Sequence, residues 1–148
     1  MKKAAVVRKL GSLAFLLAFL SLLPALRADE RDQAIRVTFS QPVQIPGRVL
    51  PAGTYWFVLP RDATQHFVVR IFNADRTKVC ATLLTVSAER RQSTDSAVFT
   101  FAEQRSAQPQ AIMSWFYGGN TIGHEFIYPK QVQKQLAQEK HITLVAQK

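Results

Sequence analysis

The stretch at 49–59, Val-Leu-Pro-Ala-Gly-Thr-Tyr-Trp-Phe-Val-Leu, does most to limit the fold of this chain. Pro51-Ala52-Gly53 is a turn signal, because proline presets φ and glycine can take a positive φ that other residues resist. A run of aromatic and aliphatic residues follows at once, and such side chains favour strands because they pack well on a pleated surface. Alternation puts Tyr55, Phe57 and Leu59 on one face and Trp56 and Val58 on the other. Both faces are apolar and both need cover, which predicts a strand in the middle of a sheet.

The segments around it read as further strands. At 34–40, Ile35, Val37 and Phe39 alternate with Arg36 and Thr38, the pattern of a strand with one wet face. The segment 41–47 carries Pro42 and Pro46, which donate nothing to a ladder, so it reads as an edge strand or a loop. Residues 67–72 and 78–86 form two more strands, and a slip in alternation at Leu83-Leu84 predicts a bulge in the second. Residues 87–95 are polar and read as a loop, followed by a short strand at 97–102. Residues 112–117 and 124–128 form a hairpin turned by Gly118-Gly119-Asn120, with Trp115 and Phe126 facing inward. Pro129 suits the first position of a helix. From 130 to 140, Val132 and Leu136 are four apart in an otherwise polar segment, which makes a short amphipathic helix. A last strand is expected at 142–146. Many short strands with frequent turn signals predict a mainly β fold, an antiparallel β-sandwich or small barrel with a short C-terminal amphipathic helix.

Ahead of these strands, Lys2, Lys3, Arg8 and Lys9 precede an uncharged apolar run at 10–23, and Pro24-Ala-Leu-Arg-Ala28 follows it, with Ala25 and Ala28 as the small residues of a cleavage site. That is the pattern of a signal peptide over 1–28. As a helix the apolar run would reach roughly 21 Å, short of a hydrocarbon core of roughly 30 Å, so it is not expected to stay as an anchor. The mature chain is then 29–148, one β-rich domain, exported to the periplasm or secreted. It meets the membrane only through the leader before cleavage.

Processing also changes the charge argument. The whole chain has 19 Lys and Arg against 10 Asp and Glu. Five of the basic residues leave with the leader, so the mature part is left with a formal +4. Its basic residues are scattered, as on a solvated surface, and no nucleic-acid partner is expected. Cys80 is the single cysteine, so an exported chain of this kind has no internal disulfide framework. Set in an apolar run, Cys80 reads as a small buried hydrophobe.

No catalytic constellation stands out. His124-Glu125 invites comparison with the helical zinc-protease motif, but Tyr128 stands where the second histidine would be, in a segment that reads as strand. The other histidines, His66 and His141, are distant in sequence, and no metal or cofactor is expected. Gly-x-Ser-x-Gly is absent, and Gly118 to Gly123 lacks the lysine of a phosphate loop. Glu89, Asp95, Glu103 and Glu125 sit in or near loops and strand ends, and nothing in their spacing selects a pair for glycoside hydrolysis. The suggestive set is aromatic: Tyr55, Trp56, Trp115, Tyr117 and Tyr128 could line a stacking platform for a sugar or apolar ligand, or else fill the core.

Three segments, Leu50-Pro-Ala-Gly-Thr-Tyr-Trp-Phe57, Val98-Phe-Thr-Phe101, and Trp115-Phe-Tyr with Glu125-Phe-Ile-Tyr-Pro-Lys130, together resemble a group of small exported bacterial proteins of unknown function. The resemblance spans most of the mature chain. It implies export and β structure and adds no site. The expectation is a non-enzymatic exported β-domain that binds or scaffolds in the cell envelope, its partner an envelope component or a small ligand. A sugar- or apolar-ligand module built on the aromatics is the alternative, and a hydrolase without a readable motif is the third reading.

Overall fold

The alternation at Ile35, Val37 and Phe39 produces β1 (Gln33–Phe39), which buries those three side chains and exposes Arg36 and Thr38. The computed structural model describes residues 33–60, 67–105 and 107–146. The leader expected at 1–28, the start of the mature chain and His66 lie outside the described residues. Pro42 and Pro46 bracket a three-residue strand, β2 (Val43–Ile45), and a turn at Pro46-Gly47 leads into β3 (Arg48–Leu50). The segment expected as an edge strand or loop is thus a small hairpin. Val49 and Leu50 belong to it and not to the following strand, because Pro51 breaks the run.

β4 (Gly53–Leu59) pairs antiparallel with β1 on one side and with β5 (Val68–Asn73) on the other. That is the central position its two apolar faces require: Phe57 is fully buried in the core, and Val58 on the opposite face is only 4% exposed. β6 (Val79–Glu89) follows, and it runs past its expected end at Val86. Its bulge lies at Cys80 and not at Leu83-Leu84. Ala81 stands opposite Ile71 and Val79 opposite Phe72, which leaves Cys80 as the extra residue. Leu83 is buried and Leu84 exposed in ordinary alternation.

β7 (Ala97–Ala102), β8 (Gln110–Phe116) and β9 (Ile122–Phe126) form the second part of the sheet. β9 explains the length of β6. Residues 87–89, expected as the start of a loop, continue the strand because they pair with His124, Gly123 and Ile122. β8 and β9 form the expected hairpin, with Trp115 opposite His124. The helix α1 (Lys130–Leu136) is shorter than expected but places Leu136 in the core. β10 (His141–Ala146) then pairs with β7.

Among the described residues the ten strands join in one sheet, in the order β1-β4-β5-β6-β9-β8. β8 then branches, to β7 and β10 on one path and to β2 and β3 on the other. β2 lies parallel to β8, with Val43 opposite Gln110. The sheet is therefore mixed, which corrects the all-antiparallel expectation, and it is not closed. The cause is the short β2, which enters alongside β8 only through tertiary packing. Tyr128 secures it: the hydroxyl lies 2.9 Å from the Ile112 carbonyl oxygen in β8 and 3.1 Å from that of Gln44 in β2.

The core lies where the sheet folds over on itself. Phe39 meets Phe101 at 6.1 Å between ring centroids, Phe57 meets Phe99 at 5.1 Å, and Phe57 meets Trp115 at 5.8 Å. Each contact joins β1 or β4 to β7 or β8, strands that are not neighbours in the sheet. Burial of each such side chain contributes about 1.5–3 kcal/mol, so this aromatic cluster carries much of the folding free energy in a chain without a disulfide. Among the described residues no helix is long and apolar enough to cross a membrane.

Candidate functional site

Strand alternation separates the five candidate aromatics. Tyr55 points into the core, and its hydroxyl donates to the Pro51 carbonyl at 2.8 Å. Burial first, and then the nearby Cys80, push the Tyr55 phenol up, and Arg48 opposes them. Trp56, one residue on, faces the other way. Its indole N–H donates to the Ala74 carbonyl at 3.0 Å, and the Arg76 guanidinium lies 4.5 Å from its ring centroid. Trp115 is 0% exposed at the centre of the core. Tyr117 is half-buried beside it, with centroids 6.4 Å apart. Tyr128 is buried, and desolvation pushes its phenol far up, so the hydroxyl stays neutral and serves as a hydrogen-bond donor. The structure thus brings Trp115 and Tyr117 together, leaves Trp56 on the outside, and forms no common surface from the five.

His124 sits opposite Trp115, with Nδ1 3.0 Å from Thr85 Oγ1. Burial pulls its imidazole below the usual histidine range, so it is neutral at pH 7. His141, at the start of β10, contacts the Leu136 carbonyl through Nε2 at 3.1 Å. Among the described residues no three His, Cys, Asp or Glu side chains converge as metal ligands would. Cys80 is a free thiol, half-buried against the core.

A concave feature of the described residues lies elsewhere. Among the described residues β1 and β10 are each paired on one side only, so each presents a free edge there. A cavity of about 320 Å³ lies between these edges. Residues 38–43, the end of β1 and the turn into β2, form one wall, and 142–144 of β10 form the other. Phe101 and Gln110 complete the lining. A second, much smaller cavity, of about 20 Å³, opens further along β1, between Ala34 and Ile35 on one side and Asp95 and Ala97 on the other. Both cavities flank β1 where the sheet fails to close.

The lining of the larger groove has a definite chemistry. Phe39, Pro42, Val43, Phe101, Ile142 and Leu144 supply apolar surface. Thr38, Ser40, Gln41, Gln110 and Thr143 supply hydroxyls and amides. Among the described residues no ionisable side chain lines it. General acid–base work needs a titratable group within hydrogen-bond reach of the reacting atom. The described lining offers neutral donors and acceptors over an apolar floor.

Sequence reasoning did not single out these residues. The available signal was Pro42, which lies in the turn out of β1 and lines the groove. No family model matches the chain, and no curated protein or solved structure matches it either.

Proposed function

We propose that this chain is an exported, non-enzymatic β-domain of the cell envelope that binds an uncharged partner in the groove between β1 and β10. The observation that carries the reading is the lining: apolar side chains with hydroxyls and amides, and no ionisable group. The leader pattern at 1–28 and the resemblance to small exported bacterial proteins support the location. The ring contacts between β1 or β4 and β7 or β8 support a small barrel, open along β1 and β10, as the finer architecture.

A stacking platform on the candidate aromatics has less support. Trp56 is the one that faces outward on β4, and Arg76 already lies over its ring. A ligand stacking there would have to displace a guanidinium held by cation–π attraction of about 0.5–1 kcal/mol.

Amide chemical-shift mapping of the purified protein tests the proposal, with a neutral disaccharide and a capped uncharged peptide as probes. At least one probe is expected to shift Phe101, Ile142 and Leu144 and to leave Trp56 and Arg76 unmoved. Shifts confined to Trp56 would refute the groove in favour of the aromatic platform.

A further inference from the structure

We infer that the occupant of this groove is an extended, uncharged polypeptide strand that adds to the free edge of β10, an inference that rests on the groove being a binding site. The hydrogen-bond parity of β10 locates the free groups. His141 stands opposite Ala102, and one step further the Glu103 N–H donates to the Lys140 carbonyl at 2.8 Å. In an antiparallel ladder, directly opposed residues alternate between hydrogen-bonded and non-bonded pairs. With Lys140 in a bonded pair, Ile142, Leu144 and Ala146 bond to β7. His141, Thr143 and Val145 therefore aim their N–H and C=O groups away from β7, and Thr143 lines the groove. Such an edge is a template for another strand.

The side chains agree with the backbone. Leu144 stands opposite Phe99 and shares its face, the face that is buried across the rest of the sheet. Yet Leu144 is 42% exposed, because among the described residues no strand lies beyond β10 to cover it. A strand added there would cover it with an alternate side chain while pairing with Thr143. Charge complementarity selects the same class of partner. The eleven lining residues offer no charge of either sign, so a charged segment would give up its hydration for nothing in return. Gln41 and Gln110 carry amides that can satisfy a neutral backbone or hydroxyl. β10 carries no Lys, Arg, Asp, Glu or Pro, the residues with which edge strands are usually protected.

A capped six-residue peptide of alternating threonine and valine is the probe, together with two twins N-methylated at its odd or its even residues. The peptide is expected to shift the amides of His141, Thr143 and Val145, and at least one twin is expected to bind tenfold or more weakly. Thr143→Pro removes an N–H that β7 does not use, as edge strands tolerate, and should weaken binding at least tenfold. Thr143→Ala keeps the N–H while losing the groove hydroxyl, and should weaken binding much less than Thr143→Pro. If Thr143→Pro does not fold, Leu144→Lys at an already exposed position serves in its place, with the same tenfold loss expected. Equal binding of the peptide and both twins would overturn the strand inference. So would a disaccharide that shifts the groove while the peptide does not, which would leave the groove itself standing as a binding site. Binding of neither probe would remove both readings. Self-association of the protein that Thr143→Pro abolishes would assign the edge to a second copy and also overturn the inference.

Discussion

Phe99 and Trp115 face each other across the β7–β8 ladder with ring planes 2° apart and centroids 5.8 Å apart. Both are 0% exposed. Phe57 reaches them from β4, at 75° to the first ring and 73° to the second. An aromatic pair of this kind adds about 0.5–1.5 kcal/mol beyond the area it buries. The cluster joins the two halves of the folded-over sheet, so its loss should be felt across the whole domain.

Trp115→Ala is expected to destabilise by about 3–5 kcal/mol. At about 4 °C per kcal/mol, the melting midpoint should drop by more than about 10 °C. Trp115→Phe should cost clearly less. The indole N–H is buried with no hydrogen-bond partner among the described residues, and the change removes that unsatisfied donor. Thermal melts of the three proteins check this, and a midpoint for Trp115→Ala within a degree or so of wild type would refute the core role.

Two glycines should resist substitution for different reasons. Gly53 opens β4 at φ 155°, a backbone conformation that a β-branched residue strains to adopt, and Gly53→Val should cost about 1–3 kcal/mol. At Gly123 the obstacle is space. An added Cβ would overlap the Phe116 ring and the Trp115 carbonyl oxygen, so even Gly123→Ala should cost about 1–3 kcal/mol through overpacking. Urea titrations measure both, and a Gly123→Ala curve that superimposes on wild type would show that β8 and β9 can move apart freely.

Tyr128→Phe should cost about 1–3 kcal/mol, because it strips a donor from the buried carbonyls of Ile112 and Gln44. The loss should concentrate where β2 meets β8. Hydrogen exchange is expected to quicken in β2 and to stay near wild type in β4 and β5. A uniform increase would mean that Tyr128 supports the whole fold and not that junction.

His124 should make stability pH-dependent. Burial holds its folded-state pKa below the unfolded value of about 6.5. The neutral ring is the form the fold prefers, so its contribution is complete above about pH 6.5 and is lost as pH falls through the folded-state value. The Asp75 carboxyl is also held low, chiefly by its hydrogen bond with Thr77, but it titrates at more acid pH. Melting midpoints are expected to fall between about pH 7 and pH 5, and His124→Gln should flatten that slope. An equally steep slope in His124→Gln would place the effect elsewhere.

If the chain is exported as proposed, the mature protein is expected to begin near Asp29, the residue after the small-residue site at Ala28. N-terminal sequencing of the exported fraction checks this. A chain recovered intact with the membrane would make the leader an anchor.

What the sequence by itself determined was local. The alternation of Ile35, Val37 and Phe39 fixes which side of β1 is buried, because successive side chains of a strand point to opposite faces. The doubly apolar run at 55–59 requires neighbours on both sides, and β4 has them. Pro51, Gly118 and Gly119 mark where strands stop. Such patterns name faces and ends but not partners. Only the tertiary structure decided that β2, three residues between two prolines and too short for any period, lies parallel to β8 under Tyr128. The same holds for the polar end of β6, which becomes strand because β9 lies beside it, and for the bulge at Cys80, which depends on the register against β5. The groove was hidden for the same reason. Its two walls, at 38–43 and 142–144, are about a hundred residues apart in sequence and meet only where the sheet curls without closing. An unpaired edge is defined by the strand missing beside it, and no side chain encodes that.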